Sequence, residues 1–264
     1  MKIEQHIRRK RLAQISLSNH AKSIILGSLL GDGCMRIYKG DKNAKFSIRH
    51  SDTQQEYLDW KKTFLGFGGV SGTISKGTIS KQRKNTSFFQ SHVSEELSKI
   101  HEVTHKQNKL KIQRTWLNHL TASSLAVWWF DDGSLTSLRR RGVFCTDGFD
   151  EKSCLILSKY LQKVWNVRVS VKPIVRKESN KSYYRLWLCT SELKIFLKII
   201  IPHVPLIWEM FDKKILVCYK DPFLQQRWIS EVFSLLKDRE NTDTKPFFDK
   251  FRERYSPMLQ KNIQ

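Results

Sequence analysis

A chain of 264 residues is long enough for one large domain or two small ones packed together. Lys and Arg number 47 against 25 Asp and Glu, a formal charge of +22 spread along the whole length, which favours a polyanionic partner, nucleic acid foremost. The longest apolar stretches are too short to span a bilayer and are broken by Lys198 and Pro202, so no membrane role is expected, and five cysteines without a CxxC pair give no zinc signature and fit a reducing compartment.

In chain order, residues 1–18 form a basic arm (Arg8, Arg9, Lys10, Arg11), too short and serine-poor for a transit peptide and suited to phosphate contact. An apolar run, ILGSLLGDG (25–33), follows. A strand at 35–38, a turn at Lys39-Gly40-Asp41 and a strand at 45–50 come next, with Phe46 and Ile48 alternating with Lys45, Ser47 and Arg49. Tyr57, Trp60 and Phe64 recur at helical spacing up to the Gly66/Gly68/Gly69 break. Strands at 71–79 and 86–93 lead to a helix capped by Ser94 and running toward Gln107.

The order then repeats. A second run, LAVWWFDDG (125–133), precedes a strand at 143–146 and a helix with Leu157, Tyr160, Leu161 and Val164 on one face. Strands at 167–172 and 183–188 lead to a helix with Leu193, Phe196, Leu197 and Ile200 on one face, for which Ser191 takes the cap position. The expectation is an α+β fold of two pseudo-symmetric αββαββα halves, 19–120 and 121–220, each an antiparallel sheet backed by helices. Residues 221–264 have no counterpart in the first half. Leu224, Trp228, Val232 and Leu235 predict one more amphipathic helix there, and Phe247, Phe248 and Phe251 are candidate anchors in the tail.

Each half-exposed sheet offers one polar face. The DNA-binding candidates on those faces are Arg36, Tyr38, Lys45, Ser47 and Arg49 in the first half. In the second they are Arg139, Arg168, Ser170, Lys172, Tyr183 and Arg185.

The two apolar runs carry the chemistry. Each ends in an aspartate followed by glycine, Asp32 and Asp132, one hundred residues apart. A carboxylate at the tip of a buried apolar helix is costly unless it has a partner, and a metal ion is a common one. Gly27 and Gly31, four apart, allow two helices to pack closely along one seam, which would set Asp32 beside Asp132; the second run is bulkier, with Val127, Trp128 and Trp129. Their mutual repulsion would be relieved by divalent cations, and oxygen-only ligation points to Mg²⁺. Asp131 has Gly31 at the matching position of the first run, which fits a supporting group more than an essential ligand.

Both runs resemble the motif of the LAGLIDADG homing endonucleases, and the pattern "SLAVWWFDDG … YYRLWLCTSE … IIIPHVPLIWEMFDKK" is similar to the second half of single-chain members. The resemblance covers residues 18–220 in two copies. It implies a monomeric site-specific double-strand DNA endonuclease, a saddle of two sheets on a long asymmetric, pseudo-palindromic duplex, and cuts across the minor groove that leave short 3′ overhangs. It also implies Asp32 and Asp132 as Mg²⁺ ligands and a basic residue in each half near the scissile phosphate, aligned to Lys109 and Lys213, with Lys111 and Lys214 as alternatives. An organelle, chloroplast or mitochondrion, is the implied compartment. The alternative is an intron RNA maturase on the same fold. His101 and His105 stand at i, i+4 without a third ligand and are read as helix-surface residues.

Overall fold

The computed structural model describes residues 12, 14–79, 84–136, 138–176 and 181–259; Arg8, Arg9, Lys10 and Arg11 of the expected arm lie outside the described residues. The first motif forms helix α1 (Asn19–Leu29), which starts where the Ser18 side chain accepts the Ala21 N–H at 3.1 Å. Strands β1 (Gly33–Arg36) and β2 (Lys45–Ser51), helix α2 (Gln55–Phe67), strands β3 (Gly72–Ile79) and β4 (Lys84–Ser91) and helix α3 (Glu95–Thr104) complete the first unit. A small hairpin, β5 (His105–Lys106) and β6 (Lys109–Leu110), and one turn of helix, α4 (Arg114–Leu117), lead to the second.

Helix α5 (Ala122–Asp132) is the second motif, opened by a capping box between Thr121 and Ser124. It is followed by β7 (Gly133–Leu135), β8 (Gly142–Phe144), α6 (Glu151–Trp165), β9 (Ser170–Arg176), β10 (Lys181–Leu188) and α7 (Thr190–Ile200). The two antiparallel sheets run β1-β2-β4-β3 and β7-β8-β10-β9, the same order in each unit. The registers agree as well: Gly33 pairs with Ile48 as Gly133 pairs with Phe144. The expected α+β architecture, antiparallel sheets backed by helices, is therefore present twice. Phe46, Ile48 and Phe89 on one sheet, and Phe144, Leu186 and Leu188 on the other, are buried against the helices.

Several details differ from expectation. Helix α3 stops at Thr104, because Gln107 and Asn108 adopt positive φ (52° and 58°) and turn the chain into the β5–β6 hairpin. Strand β9 begins at Ser170, so Arg168 precedes it, its backbone N–H and Nε held by Glu192 at 2.8 and 2.9 Å. Cys189, and not Ser191, occupies the cap position of α7. After α8 (Trp208–Ile215), the chain builds two helices where one was expected, α9 (Pro222–Leu236) and α10 (Lys245–Leu259). Proline opens α9 at a position whose N–H needs no partner, and the Asp221 carboxylate accepts the Phe223 and Leu224 N–H groups. Phe247, Phe248 and Phe251 are buried, with Phe211 and Phe247 rings 5.0 Å apart, so the tail is anchored onto α8. Among the described residues no helix is long and apolar enough to cross a membrane.

Candidate active site

Helices α1 and α5 pack along their lengths at the centre of the molecule, and both are buried almost throughout. The approach is close because Gly27 lies on the partner backbone: a Cβ at Gly27 would stand 2.4 Å from the Ser124 carbonyl oxygen. The bulky residues of the second motif do not prevent this. Trp128 and Trp129 pack on Phe144, at centroid distances of 4.1 and 5.1 Å, and Val127 meets Gly27 in the seam itself, where an added Cβ would stand 2.9 Å from the Val127 Cβ. At the seam's start Ser23 and Thr121 share a hydrogen bond of 2.8 Å.

At its other end the carboxylates gather. The Asp32 side chain is 38% exposed. Burial, followed by the charge of Asp131, pushes its pKa up to about 6. Burial raises Asp132 further, to about 8, with Asp32 and then Asp131 adding to the shift. Such values belong to carboxylates that repel one another in a partly desolvated site.

The Asp131 side chain is fully buried and differently placed. It accepts hydrogen bonds from Lys61 Nζ at 2.6 Å and Tyr57 Oη at 2.9 Å, and from the Asp32 backbone N–H at 3.3 Å. Lys61 Nζ also lies 3.3 Å from His50 Nε2, while His50 Nδ1 stands 3.4 Å from Asp32 Oδ2. Burial, and then the Lys61 charge, hold the His50 pKa down to about 3, so the imidazole is neutral. Ligand atoms of Asp32, His50 and Asp131 all lie within 4.8 Å of one another.

Neither expected lysine is bonded to the carboxylates: Lys109 is exposed on β6 and Lys213 is exposed on α8, and among the described residues no hydrogen bond or ion pair ties either to them. The neighbouring Lys214 turns inward: its ammonium donates to the carbonyls of Phe130 (2.6 Å) and Gly133 (2.9 Å), with those of Trp129 and Asp131 at 3.3 Å. It closes the C-terminal end of α5, where unpaired carbonyls and the helix dipole favour a cation. Burial lowers its pKa. His50, Lys61 and Tyr57 were not among the expected site residues, and Lys214 entered only as the alternative to Lys213. One signal for Lys61 was available, since it falls on the buried stripe of α2 with Tyr57, Leu58 and Leu65.

The expected DNA-facing residues divide into two groups. Arg36, Tyr38 and Arg49 are exposed in the first unit, as are Ser170 and Lys172 in the second; Tyr183 is half-buried. Lys45 is half-buried and paired with Asp41 at 3.0 Å. The others are engaged within the protein. Ser47 is buried, with its Oγ 3.4 Å from the Cys34 carbonyl. Arg139 turns toward α8 and bonds the Asp212 carbonyl. Arg168 is tied to Glu192, and Arg185 makes two bonds to Asp147, at 2.6 and 2.7 Å. Alternation along a strand reveals a face but not the acid that neutralises a base upon it. His101 and His105 stack at 4.6 Å, and His101 Nε2 lies 2.9 Å from Asn108 Oδ1.

The chain resembles proteins of several kinds. It is 29% identical over 170 residues to Protein RecA of Mycobacterium shimoidei, covering 59% of this chain and 38% of that one, so it spans well under half of that relative's length. It is 25% identical over 170 residues to DNA endonuclease I-ChuI of Chlamydomonas applanata, 58% of this chain and 76% of that one. Against the cytochrome b mRNA maturase bI2 of Saccharomyces cerevisiae it is 24% identical over 199 residues, 71% of this chain and 46% of the maturase. The solved structure of the homing endonuclease I-WcaI bound to its DNA recognition sequence superposes with a TM-score of 0.65 at 21% identity, covering 77% of this chain and 89% of that one, and so shares its fold. The sequence profile of the LAGLIDADG DNA endonuclease family matches residues 22–196, spanning both motifs and both sheets, and the chain belongs to that family.

Proposed function

We propose that this chain is a site-specific endonuclease that hydrolyses both strands of a long, pseudo-palindromic DNA duplex with a divalent metal, Mg²⁺ foremost, one chain acting on one duplex. The observation that carries the reading is the pair Asp32 and Asp132 at one end of the α1–α5 seam, both held toward the protonated form by burial and by neighbouring carboxylates. Oxygen ligands in mutual repulsion fit a hard divalent cation. The nearest ammonium groups do not fill that place, because Lys61 is bonded to Asp131 and Lys214 to the end of α5.

Asp32 and Asp132 would hold the metal, which when bound polarises a phosphodiester and acidifies a water. Lys109 and Lys213 would assist by neutralising charge near the scissile phosphates. Arg36, Tyr38, Arg49, Ser170 and Lys172 provide exposed groups for phosphates and base edges, with Tyr183 beside them. The fold shared with I-WcaI, whose structure holds its DNA recognition sequence, supports the reading.

The second reading, an intron RNA maturase on the same fold, is favoured by the likeness to the yeast cytochrome b mRNA maturase. That relative also supports an organellar setting. The two readings separate in one experiment. The protein is offered the duplex formed by joining the sequences that flank its reading frame, in Mg²⁺, and in parallel the intervening RNA. Cutting of both DNA strands, lost by orders of magnitude in Asp32→Asn and Asp132→Asn while binding in Ca²⁺ survives, supports the endonuclease. Lys109→Met and Lys213→Met should slow cutting less. Tight RNA binding without any DNA scission supports the maturase.

A further inference from the structure

The carboxylate of Asp32 is supported by a chain of buried groups that does not recur among the described residues of the second half. Asp131 and Lys61 form an ion pair with both side chains fully buried. An ammonium can only donate, so Lys61 makes His50 Nε2 the acceptor and leaves the ring proton on Nδ1. His50 is 3% exposed, and its Nδ1 lies 3.4 Å from Asp32 Oδ2, close to the carboxylate but not hydrogen-bonded to it, with Gln54 as another polar neighbour. Asp131 Oδ2 meanwhile accepts the backbone N–H of Asp32. One end of the chain thus holds the Asp32 main chain and the other approaches its carboxylate.

Asp32, His50 and Asp131 are near enough to suggest a three-ligand metal cage. The donor chemistry opposes that: Lys61 already supplies the cation among them, and the tautomer it imposes leaves Nδ1, the ring nitrogen beside Asp32, with no lone pair for a metal. The group is a support and not a cage.

The positions behind Asp132 are filled differently. By register Ile48 matches Phe144, so His50 matches Thr146, whose Oγ1 donates to the Tyr184 carbonyl at 2.6 Å. By burial pattern Leu58, Lys61 and Leu65 on α2 match Cys154, Leu157 and Leu161 on α6, which places an apolar residue opposite Lys61. The residue matching Asp131 is Gly31.

We propose that Asp131, Lys61 and His50 are positioning residues for the Asp32 carboxylate, so that the metal-binding end of the first motif is set by an acid of the second while Asp132 is set by other means. This rests on the endonuclease reading, and it makes the two strand cleavages inequivalent.

The test uses the full chain and three proteins: the parent, the double variant Lys61→Met/Asp131→Asn, which leaves no unpaired buried charge, and His50→Phe. Nicking of each strand is timed separately. Loss of positioning should shift the ratio of the two strand rates by roughly tenfold to a hundredfold, in the same direction for both variants, as a small misplacement of a reacting group does. General destabilisation would slow both strands alike and leave the ratio unchanged. Mn²⁺ is also titrated into each protein without nucleic acid and followed by electron paramagnetic resonance, with thermal melting to verify folding. One Mn²⁺ site should weaken by about tenfold or more in the variants while the other holds. A folded double variant with the parent's strand ratio and the parent's Mn²⁺ affinities overturns the proposal, as does a parent that binds no Mn²⁺. A parent that cuts no duplex but whose variants lose one Mn²⁺ site overturns the endonuclease reading alone.

Discussion

The backbone of Gly31 lies so close to Asp131 that a Cβ at Gly31 would stand 2.4 Å from the Asp131 Cβ. Asp131 cannot swing away, because Lys61, Tyr57 and the Asp32 N–H hold both of its oxygens. Gly31→Ala should therefore spread the seam at the site itself, and Gly27→Ala should do so further back, against the Ser124 carbonyl. Each should lower stability by about 1–3 kcal/mol, as overpacking does. Urea melts give that figure. Parent-like midpoints would show that the helices separate at little cost.

Lys214→Met should remove the ammonium that the structure places on the Phe130 and Gly133 carbonyls, and leave those oxygens without it. A loss of about 1–3 kcal/mol is expected for buried carbonyls so stranded. Lys213→Met, one residue away and exposed, should leave the melt unchanged. Equal effects from the two would contradict the inward placement of Lys214.

The acid pair predicts a pH dependence in metal-free protein. Asp132 near 8 and Asp32 near 6 both lie above the ordinary carboxylate value. As pH rises from about 4, the unfolded chain gives up these protons first and the folded chain retains them, so this contribution to stability falls through the window up to about pH 8. Carboxylates with lowered pKa, such as Glu231, work in the opposite sense, so the comparison must be made with a variant. Asp132→Asn should gain stability relative to the parent between pH 6 and 8 in EDTA, and added Mg²⁺ should narrow the gap. A gap that stays constant with pH would mean that Asp132 is not raised.

Much of this molecule was legible in its sequence because period and punctuation suffice for it: the alternation in 45–50, the helical stripe through Tyr57 and Phe64, and the paired Asp-Gly endings. What stayed hidden depended on partners far away in the chain. Arg185 reads as a free base until Asp147 is seen beside it, and Lys213 and Lys214 cannot be told apart until α8 docks on α5. The early end of α3 has the same character, for positive φ at Gln107 and Asn108 carries no strong mark in residue type at the first of these.

The electrostatic face can be tested without knowing the target. Charge reversal of Arg36, Arg49 and Lys172, all exposed on strands or their ends, should weaken duplex binding and flatten its salt dependence, by about 0.9 in log–log slope for each phosphate no longer neutralised. Reversal of Lys62 and Lys163, exposed on helices α2 and α6, should have much less effect. Arg185→Glu is a poor probe, since it would also break both bonds to Asp147 and set two acids side by side. Indistinguishable slopes for strand and helix variants would reassign the binding face.

The pairing of Gly31 with Asp131 also governs which halves can marry. Two copies of the first half brought together would oppose glycine to glycine and leave each buried Lys61 without its acid. Two copies of the second would force Asp131 against Asp131 across a seam built for a hydrogen atom on one side. Expressed as separate pieces, the halves should therefore seek each other and refuse themselves. The seam acts as a lock that fits only its own key, and the covalent linker saves the two pieces the search.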